Sequence, residues 1–250
     1  MHIAKVSADE IINKHLAIHT DWTYVMNTTP EIPVWIKDFR YCGYTNIFEL
    51  LPDCARLYAT ETLFGDWDAE TLLLAKDPAP THVIKNLIKL EGSDGWRHAQ
   101  RVLNDKKGVK TNERLELLAN KAPGRKLYGS ATAHMMCDIP KQSRTLPEFL
   151  RGPLHDHLKE VLKWVISNMP NLRVIACLGG DAWFLTATVL GHSHVARQWT
   201  EYRNRNEAIS GFVQDKKLVA IPMYHPGARI GVPPMLAGWE HLSDELTKFL

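Results

Sequence analysis

The stretch TLLLAKDPAPT, residues 71–81, limits the possible folds of this chain more than any other segment. It begins with a continuous apolar run that is too short for an independent helix and is typical of a strand buried on both faces. The run ends at Asp77, and the prolines at 78 and 80 cannot donate hydrogen bonds to a β-ladder. Open α/β sheets bind ligands where parallel strands end, so Asp77 is a candidate functional residue. A plain strand followed by a turn that Asp77 caps explains the same stretch equally well.

Three further apolar segments predict strands along the chain, at residues 127–133, 173–178 and 218–224. Leucines and valines at helical spacing over residues 154–165 predict an amphipathic helix between the first two of them. Strand-like residues at 209–213 are compatible with a hairpin before the last strand. Strands that alternate with helices predict a parallel sheet with right-handed crossovers. We therefore expect a three-layer α/β/α fold around a central four-stranded parallel sheet.

A chain of 250 residues is long enough to bury one large α/β core, and we expect residues 1–250 to form a single domain. Ser7 and Glu10 make a capping box for a helix over residues 8–18. We therefore expect residues 1–70 to be a mainly helical extension that packs on the main domain. Apolar residues at helical spacing over 236–250 predict a final helix against the sheet.

Charge and hydropathy limit the class of protein. A net charge of +2 means that any nucleic-acid footprint has to be local. No apolar run reaches the length of a membrane span, and the first residues lack the pattern of a signal peptide. The four cysteines, at 42, 54, 137 and 177, show no CxxC spacing. We expect an intracellular, cytoplasmic monomer without membrane contact.

A second titratable residue, His225, also stands before a proline at the end of a predicted strand. All carboxyl ends of an open parallel sheet point to one edge, so Asp77 and His225 can reach one cleft. There a carboxylate can stabilise a cation and orient a water molecule, while an imidazole donates a hydrogen bond to a leaving anion. The pair therefore predicts a site for a bond cleavage that separates charge. A structural role for His225 is the alternative reading.

Several motifs, in this order, resemble those of the uracil-DNA glycosylase superfamily over about residues 71–230. AKDPAP resembles the motif with the water-positioning aspartate, which falls on Asp77. SDGWRHAQRVL resembles the segment whose aromatic residue stacks on the flipped base, which falls on Trp96. HPGARI resembles the His-Pro-Ser/Gly loop that contacts the base and enters the duplex, which places the catalytic histidine at His225. The segments LPEFLRGPLHDHLKEVLKWV and VIACLGGDAW also fit the family spacing.

The resemblance implies a monofunctional DNA glycosylase that removes uracil or another deaminated or damaged base, with DNA as partner and with no metal or other cofactor. The base pocket that it implies consists of Pro78, Ala79, Trp96, Ser130, Thr132 and His134. The DNA contacts that it implies are Lys76, Thr81, Gly227, Arg229 and Ile230. Arg229 and Ile230 would fill the space that the flipped base leaves, while Trp96 stacks on that base.

The chain departs from the family pattern at three places. Many members read uracil with an asparagine at the end of the second strand, but residues 127–137 contain none, which leaves Ser130, Thr132 and His134 as the polar candidates. The aromatic residue that excludes thymine in some branches is Ala79 here. The paired cysteines of the iron–sulfur branch are missing, so no cluster is predicted. The base that is removed stays open.

Two other functions are compatible with the sequence. The chain can be a protein of the same fold that binds DNA or a nucleotide without catalysis, because the uracil-reading asparagine is missing. It can also be an unrelated α/β enzyme in which Gly179 and Gly180 let a helix N-terminus hold a phosphate.

Overall fold

The computed structural model describes residues 30–52, 57–58, 65–76, 81–82, 85–86, 89, 106–138 and 151–239. The predicted helix over residues 8–18 lies outside them. So do four of the candidate site residues, Asp77, Pro78, Ala79 and Trp96.

The described part of the chain alternates short helices with strands. In chain order its elements are α1 (Val34–Lys37), β1 (Tyr44–Asn46), α2 (Ile47–Leu50), β2 (Thr71–Ala75), α3 (Lys106–Lys121), β3 (Lys126–Ser130), β4 (Met135–Cys137), α4 (Pro153–Asn168), β5 (Val174–Leu178), α5 (Gly180–Val189), α6 (Trp199–Arg205), β6 (Ile209–Val213) and β7 (Lys216–Met223). Residues 232–239 are also helical. None of the helices in this part of the chain combines the length and the apolarity that a membrane crossing requires.

The main sheet has the strand order β3-β2-β5-β7-β6. The four strands expected from the apolar runs are all present and mutually parallel. The predicted strand number is wrong, because the sheet has five strands: β6 pairs antiparallel with β7. The two residues between them, Gln214 and Asp215, have φ angles of 47° and 62°, as a tight hairpin turn requires. The hairpin therefore adds an antiparallel edge strand to the parallel sheet.

Helices flank both faces of the sheet. Strands β2 and β5 are buried along their whole length, as strands covered on two sides should be. Leu72 and Leu74 pack into a core that includes buried residues of α4 and α5. Leu73, between them, packs into a second core with residues of α3 and of the helical segment 232–239. The alternation of side chains along a strand therefore divides one apolar run between two layers.

Prolines mark both ends of helix α4. Pro153 occupies the first turn, where its missing N–H costs nothing, and Pro170 lies just beyond the end. The Nζ of Lys216 donates to the carbonyl oxygens of Ile166 and Met169, at 2.7 and 2.6 Å. The Ile166 oxygen also accepts from the N–H of Met169 and the Met169 oxygen from that of Leu172, so Lys216 is a second donor at the end of α4 and joins it to the start of β7.

A small antiparallel sheet of β1 and β4 lies beside the main one. Asn46 holds it, because its side chain caps α2 and donates to the carbonyl oxygens of Ile36, Lys37 and Phe39 at 3.0–3.1 Å. Ile36, like the residues of α4, belongs to the first core. Asn46 thereby connects residues 36–39 to β1 and, through the pairing of β1 with β4, to the strand that follows β3.

Candidate active site at the carboxyl edge of the sheet

The carboxyl ends of β2, β5 and β7 meet at one edge of the sheet. Lys76 follows β2, Gly179 follows β5, and His225 comes shortly after β7. Because β5 lies between the other two, the ends of β2 and β7 are about 10 Å apart. Lys76 and His225 therefore lie on opposite sides of β5.

The backbone of the turn after β5 lies between the ends of β2 and β7. Gly179 has a φ angle of +111°, which favours glycine. Its N–H donates to the carbonyl oxygens of Cys177 and Met223, at 2.9 and 3.0 Å. A Cβ at Gly179 would lie 4.0 Å from the Cβ of His225. The turn therefore ties the ends of β5 and β7 together and passes close to the histidine.

Lys76 forms an ion pair across the same edge. Its Nζ lies 3.2 Å from the Oδ2 of Asp181, in the first turn of α5. Asp181 is well placed there because an acid at a helix N-terminus is stabilised by the helix dipole. A contact between Lys76 and a DNA phosphate, as predicted from the sequence, would have to compete with this pair.

His225 is held as a neutral imidazole. Its Nδ1 accepts a hydrogen bond from the backbone N–H of Gly227, at 3.0 Å. The neutral ring therefore carries its proton on Nε2. Burial lowers the pKa of His225 below its usual 6.5, because the charged form loses solvation. A Cβ at Gly227 would lie only 3.1 Å from Nδ1, so a larger residue there would press on the ring.

Arg114, on α3, holds the loop that follows His225. Its guanidinium donates to the carbonyl oxygens of Pro226 (3.3 Å), Ala228 (2.6 Å) and Ile230 (2.8 Å). Three charge-assisted hydrogen bonds from one rigid group fix the path of this loop. Sequence reasoning missed Arg114, because it belongs to no motif and lies more than a hundred residues from the loop.

The turn after β3 lies against the end of β2. The N–H of Ala131 donates to the carbonyl oxygen of Ala75 at 2.7 Å, and the N–H of Thr132 donates to the carbonyl oxygen of Lys76 at 3.1 Å. The Oγ of Ser130 donates to the carbonyl oxygen of Ala133, within the same turn. The Oγ1 of Thr132 is buried and has no hydrogen-bond partner among the described residues. Of these two candidate base-pocket hydroxyls, only that of Thr132 lacks a hydrogen bond to a described residue.

His134, the third polar candidate in this turn, belongs to a buried histidine pair. Its Nε2 lies 3.2 Å from the Nε2 of His157 on α4. The ring of Phe39 stacks on His157, with the centroids 3.6 Å apart. Burial lowers the pKa of His157 to about 4 and that of His134 well below its usual value. The pair is therefore neutral at pH 7, and sequence spacing gave no sign that these two residues meet.

The remaining predicted DNA contacts differ in exposure. Thr81 is buried, and its Oγ1 donates to the carbonyl oxygen of Met136 at 3.1 Å. Ile230 is partly buried against the second core. Gly227 and Arg229 are exposed at the tip of the loop. Only the last two are therefore open to a large ligand as they stand.

No group of three or more potential metal ligands occurs among the described residues. Comparison with known proteins gave no match: no protein-family model, no curated protein and no solved structure is detectably similar to the chain.

Proposed function

We propose that the chain is a DNA glycosylase, which hydrolyses the N-glycosidic bond of uracil or another deaminated or damaged base after the base has left the duplex. The observation that carries the proposal is the hydrogen bond of His225 at the carboxyl edge of the sheet. Its Nδ1 accepts from the N–H of Gly227 at 3.0 Å, which leaves Nε2 as the ring's donor. Such a donor suits a leaving base, on which negative charge develops as the bond to the sugar breaks.

Asp77 supplies the other half of the proposed reaction. A water oxygen forms a bond to C1′ while the bond from C1′ to the base nitrogen breaks, and the base leaves with the electron pair. The Asp77 carboxylate stabilises the cationic sugar, orients the water and takes its proton, and His225 stabilises the departing anion. This assignment is supported by the ion pair of the preceding residue, Lys76, with Asp181 beside Gly179 at the shared edge.

In the proposed complex, the flipped base stacks on Trp96 and lies against Pro78 and Ala79. Thr132 reads the edge of the base, since a hydroxyl can both donate and accept a hydrogen bond. This favours tolerance for several deaminated bases over strict recognition of uracil. Arg229, exposed on the loop that Arg114 holds, enters the duplex with Ile230.

A second function is favoured by one observation at the end of β3. The hydroxyl of Ser130 and the Nε2 of His134 are both used in internal contacts, so few groups remain there to read a base. A protein with this arrangement can bind DNA or a nucleotide without cleaving it. Salt-dependent DNA binding with no release of base would support this second function.

The test is an assay of base release on single- and double-stranded oligonucleotides that contain uracil, hypoxanthine or xanthine. We expect free base and an abasic site from at least one of them. Asp77→Asn and His225→Ala should each lower the rate by about 100-fold or more. The matched controls are Asp38→Asn and His194→Ala, because both residues are exposed and lie on other parts of the chain. Absence of product from the whole panel, or full activity in both site variants, would refute the proposal.

A further inference from the structure

A cavity of about 180 Å³ lies between α6, the end of β7 and the helical segment 232–239. Its polar wall is formed by Arg203, Asn204, Asn206 and Tyr224, and its other wall is largely apolar. We propose that this cavity binds a phosphate group through the guanidinium of Arg203. Among the described residues that line it, no other carries a formal charge.

The guanidinium of Arg203 is held in place by two aromatic rings. It lies 4.4 Å from the ring centroid of Trp199 and 4.1 Å from that of Tyr224. The two rings are nearly perpendicular, at 86°, so they contact the guanidinium from different sides. Its Nη2 also donates to the Oδ1 of Asn204, at 2.6 Å. An arginine held in this way loses little freedom when it binds a ligand.

The charge of Arg203 is not neutralised by a carboxylate in the described part of the chain. By contrast, Arg205, two residues further along the same helix, lies 3.7 Å from Glu207. The Nε of Arg203 is buried without a hydrogen-bond partner among the described residues. Buried donors are normally paired. In the described part of the chain, this guanidinium therefore lacks an acceptor that carries negative charge.

A phosphate group is the acceptor that fits the Arg203 guanidinium best. A guanidinium presents a fork of N–H groups that fits two oxygens of a phosphate, and the amides of Asn204 and Asn206 can donate to further oxygens. The cavity is small beside the pockets of about 300–1,000 Å³ that enclose whole ligands. It is therefore suited to one group of a larger molecule, or to a free phosphate ion.

The position of the cavity favours a phosphate of the DNA backbone. Tyr224, in the cavity lining, directly precedes His225 in the chain. A strand that presents a base to His225 would have a neighbouring phosphate within reach of Arg203. This choice of source rests on the proposed function, whereas the phosphate site itself does not.

The experiment compares Arg203→Gln with the matched control Arg205→Gln. Duplex binding is measured as a function of salt, and Tm is measured during a titration with inorganic phosphate at constant ionic strength. For a DNA phosphate, Arg203→Gln should reduce the slope of log K against log salt by about 0.9 and weaken binding about tenfold at low salt. Arg205→Gln should change neither by a comparable amount.

The phosphate titration separates the two sources. If inorganic phosphate raises Tm in the wild type and in Arg205→Gln but not in Arg203→Gln, the site takes the free ion. Each shift is read against the Tm of the same variant, and Arg203→Met, which removes the charge but keeps a long side chain against the two rings, serves where Arg203→Gln folds poorly. The proposal is overturned if the Arg203 and Arg205 variants behave alike both in the salt dependence of duplex binding and in the phosphate titration of Tm. If the wild-type protein releases no base but still responds to phosphate through Arg203, the proposed function is refuted and the phosphate site is not.

Discussion

Two turns at the same edge of the sheet use their side chains in opposite ways. The loop after β7 has its backbone held from outside by Arg114, and the ring of His225 keeps a proton on Nε2. The backbone of the turn after β3 is also held by another element, β2, but its side chains are used in packing, with Ser130 bonded to Ala133 and His134 paired with His157 on α4. The comparison teaches that a residue at a strand end is available for chemistry when its own side chain is not needed to hold the structure together.

The sharpest test of this contrast compares His225→Ala with His134→Ala. We expect His225→Ala to lower the rate of base release by about 100-fold or more with little change in stability. His134→Ala should instead lower the free energy of unfolding by about 2–3 kcal/mol, because it leaves a cavity and an unpaired His157. Rate per folded molecule and urea denaturation measure the two effects. The reverse pattern would contradict the contrast.

Arg114→Ala tests whether the loop depends on outside support. Loss of three hydrogen bonds to its carbonyl oxygens should lower kcat for base release by about tenfold or more, with a smaller effect on KM. Arg114→Lys should restore part of the activity, since an ammonium can bond some of these oxygens. Arg151→Ala, at an exposed arginine elsewhere, is the control. An unchanged kcat in Arg114→Ala would show that the loop holds its own shape.

The histidine pair predicts a loss of stability in acid. The folded pKa of His157 is about 4 and that of His134 is also lowered, while unfolded histidines titrate near 6.5. Between pH 6.5 and about 4 the unfolded chain therefore binds more protons, and the free energy of unfolding falls as the pH falls. Each histidine contributes up to about 1.4 kcal/mol per pH unit in this range. Urea denaturation at several pH values measures the slope.

His157→Phe sharpens the same prediction by removing one of the two titrating groups. The slope of stability against pH should decrease toward the value for a single histidine. An equal slope in wild type and variant would mean that other groups cause the acid sensitivity.

The smallest expected effect separates the two hydroxyls of the β3 turn. Ser130→Ala removes a hydrogen bond and should cost about 1 kcal/mol of unfolding free energy. Thr132→Val removes a buried hydroxyl that has no partner among the described residues, so stability should stay within about 0.5 kcal/mol or rise. Base selectivity in the release assay should nevertheless change in Thr132→Val. A large loss of stability in Thr132→Val would show that its hydroxyl is structurally engaged.

Strands were the most predictable feature of this chain. A run such as TLLLA is buried on both faces because the apolar residues at 72–75 leave no side for water, and β2 is such a strand. The edge strand β6 was harder to assign, because its burial is mixed and Phe212 is largely exposed. Its pairing partner and direction depend on the turn at Gln214 and Asp215, which carries no glycine to mark it.

Contacts between distant side chains could not be predicted. Arg114 and Arg203 belong to no motif, and His157 was not singled out within its segment; each is defined by a partner that the chain brings near only when the sheet and helices pack. Arg203, for example, looks like any solvated arginine of a polar helix until Trp199 and Tyr224 are placed on either side of it.

Local pattern alone was enough for the parallel α/β class and for the candidate histidine at the end of β7, because periodicity and proline placement act over a few residues. Packing alone determined the neutral state of His225, the support from Arg114 and the burial of His134. Hydrogen bonds and desolvation act through space, so their outcome depends on which elements become neighbours rather than on which residues are adjacent in the chain.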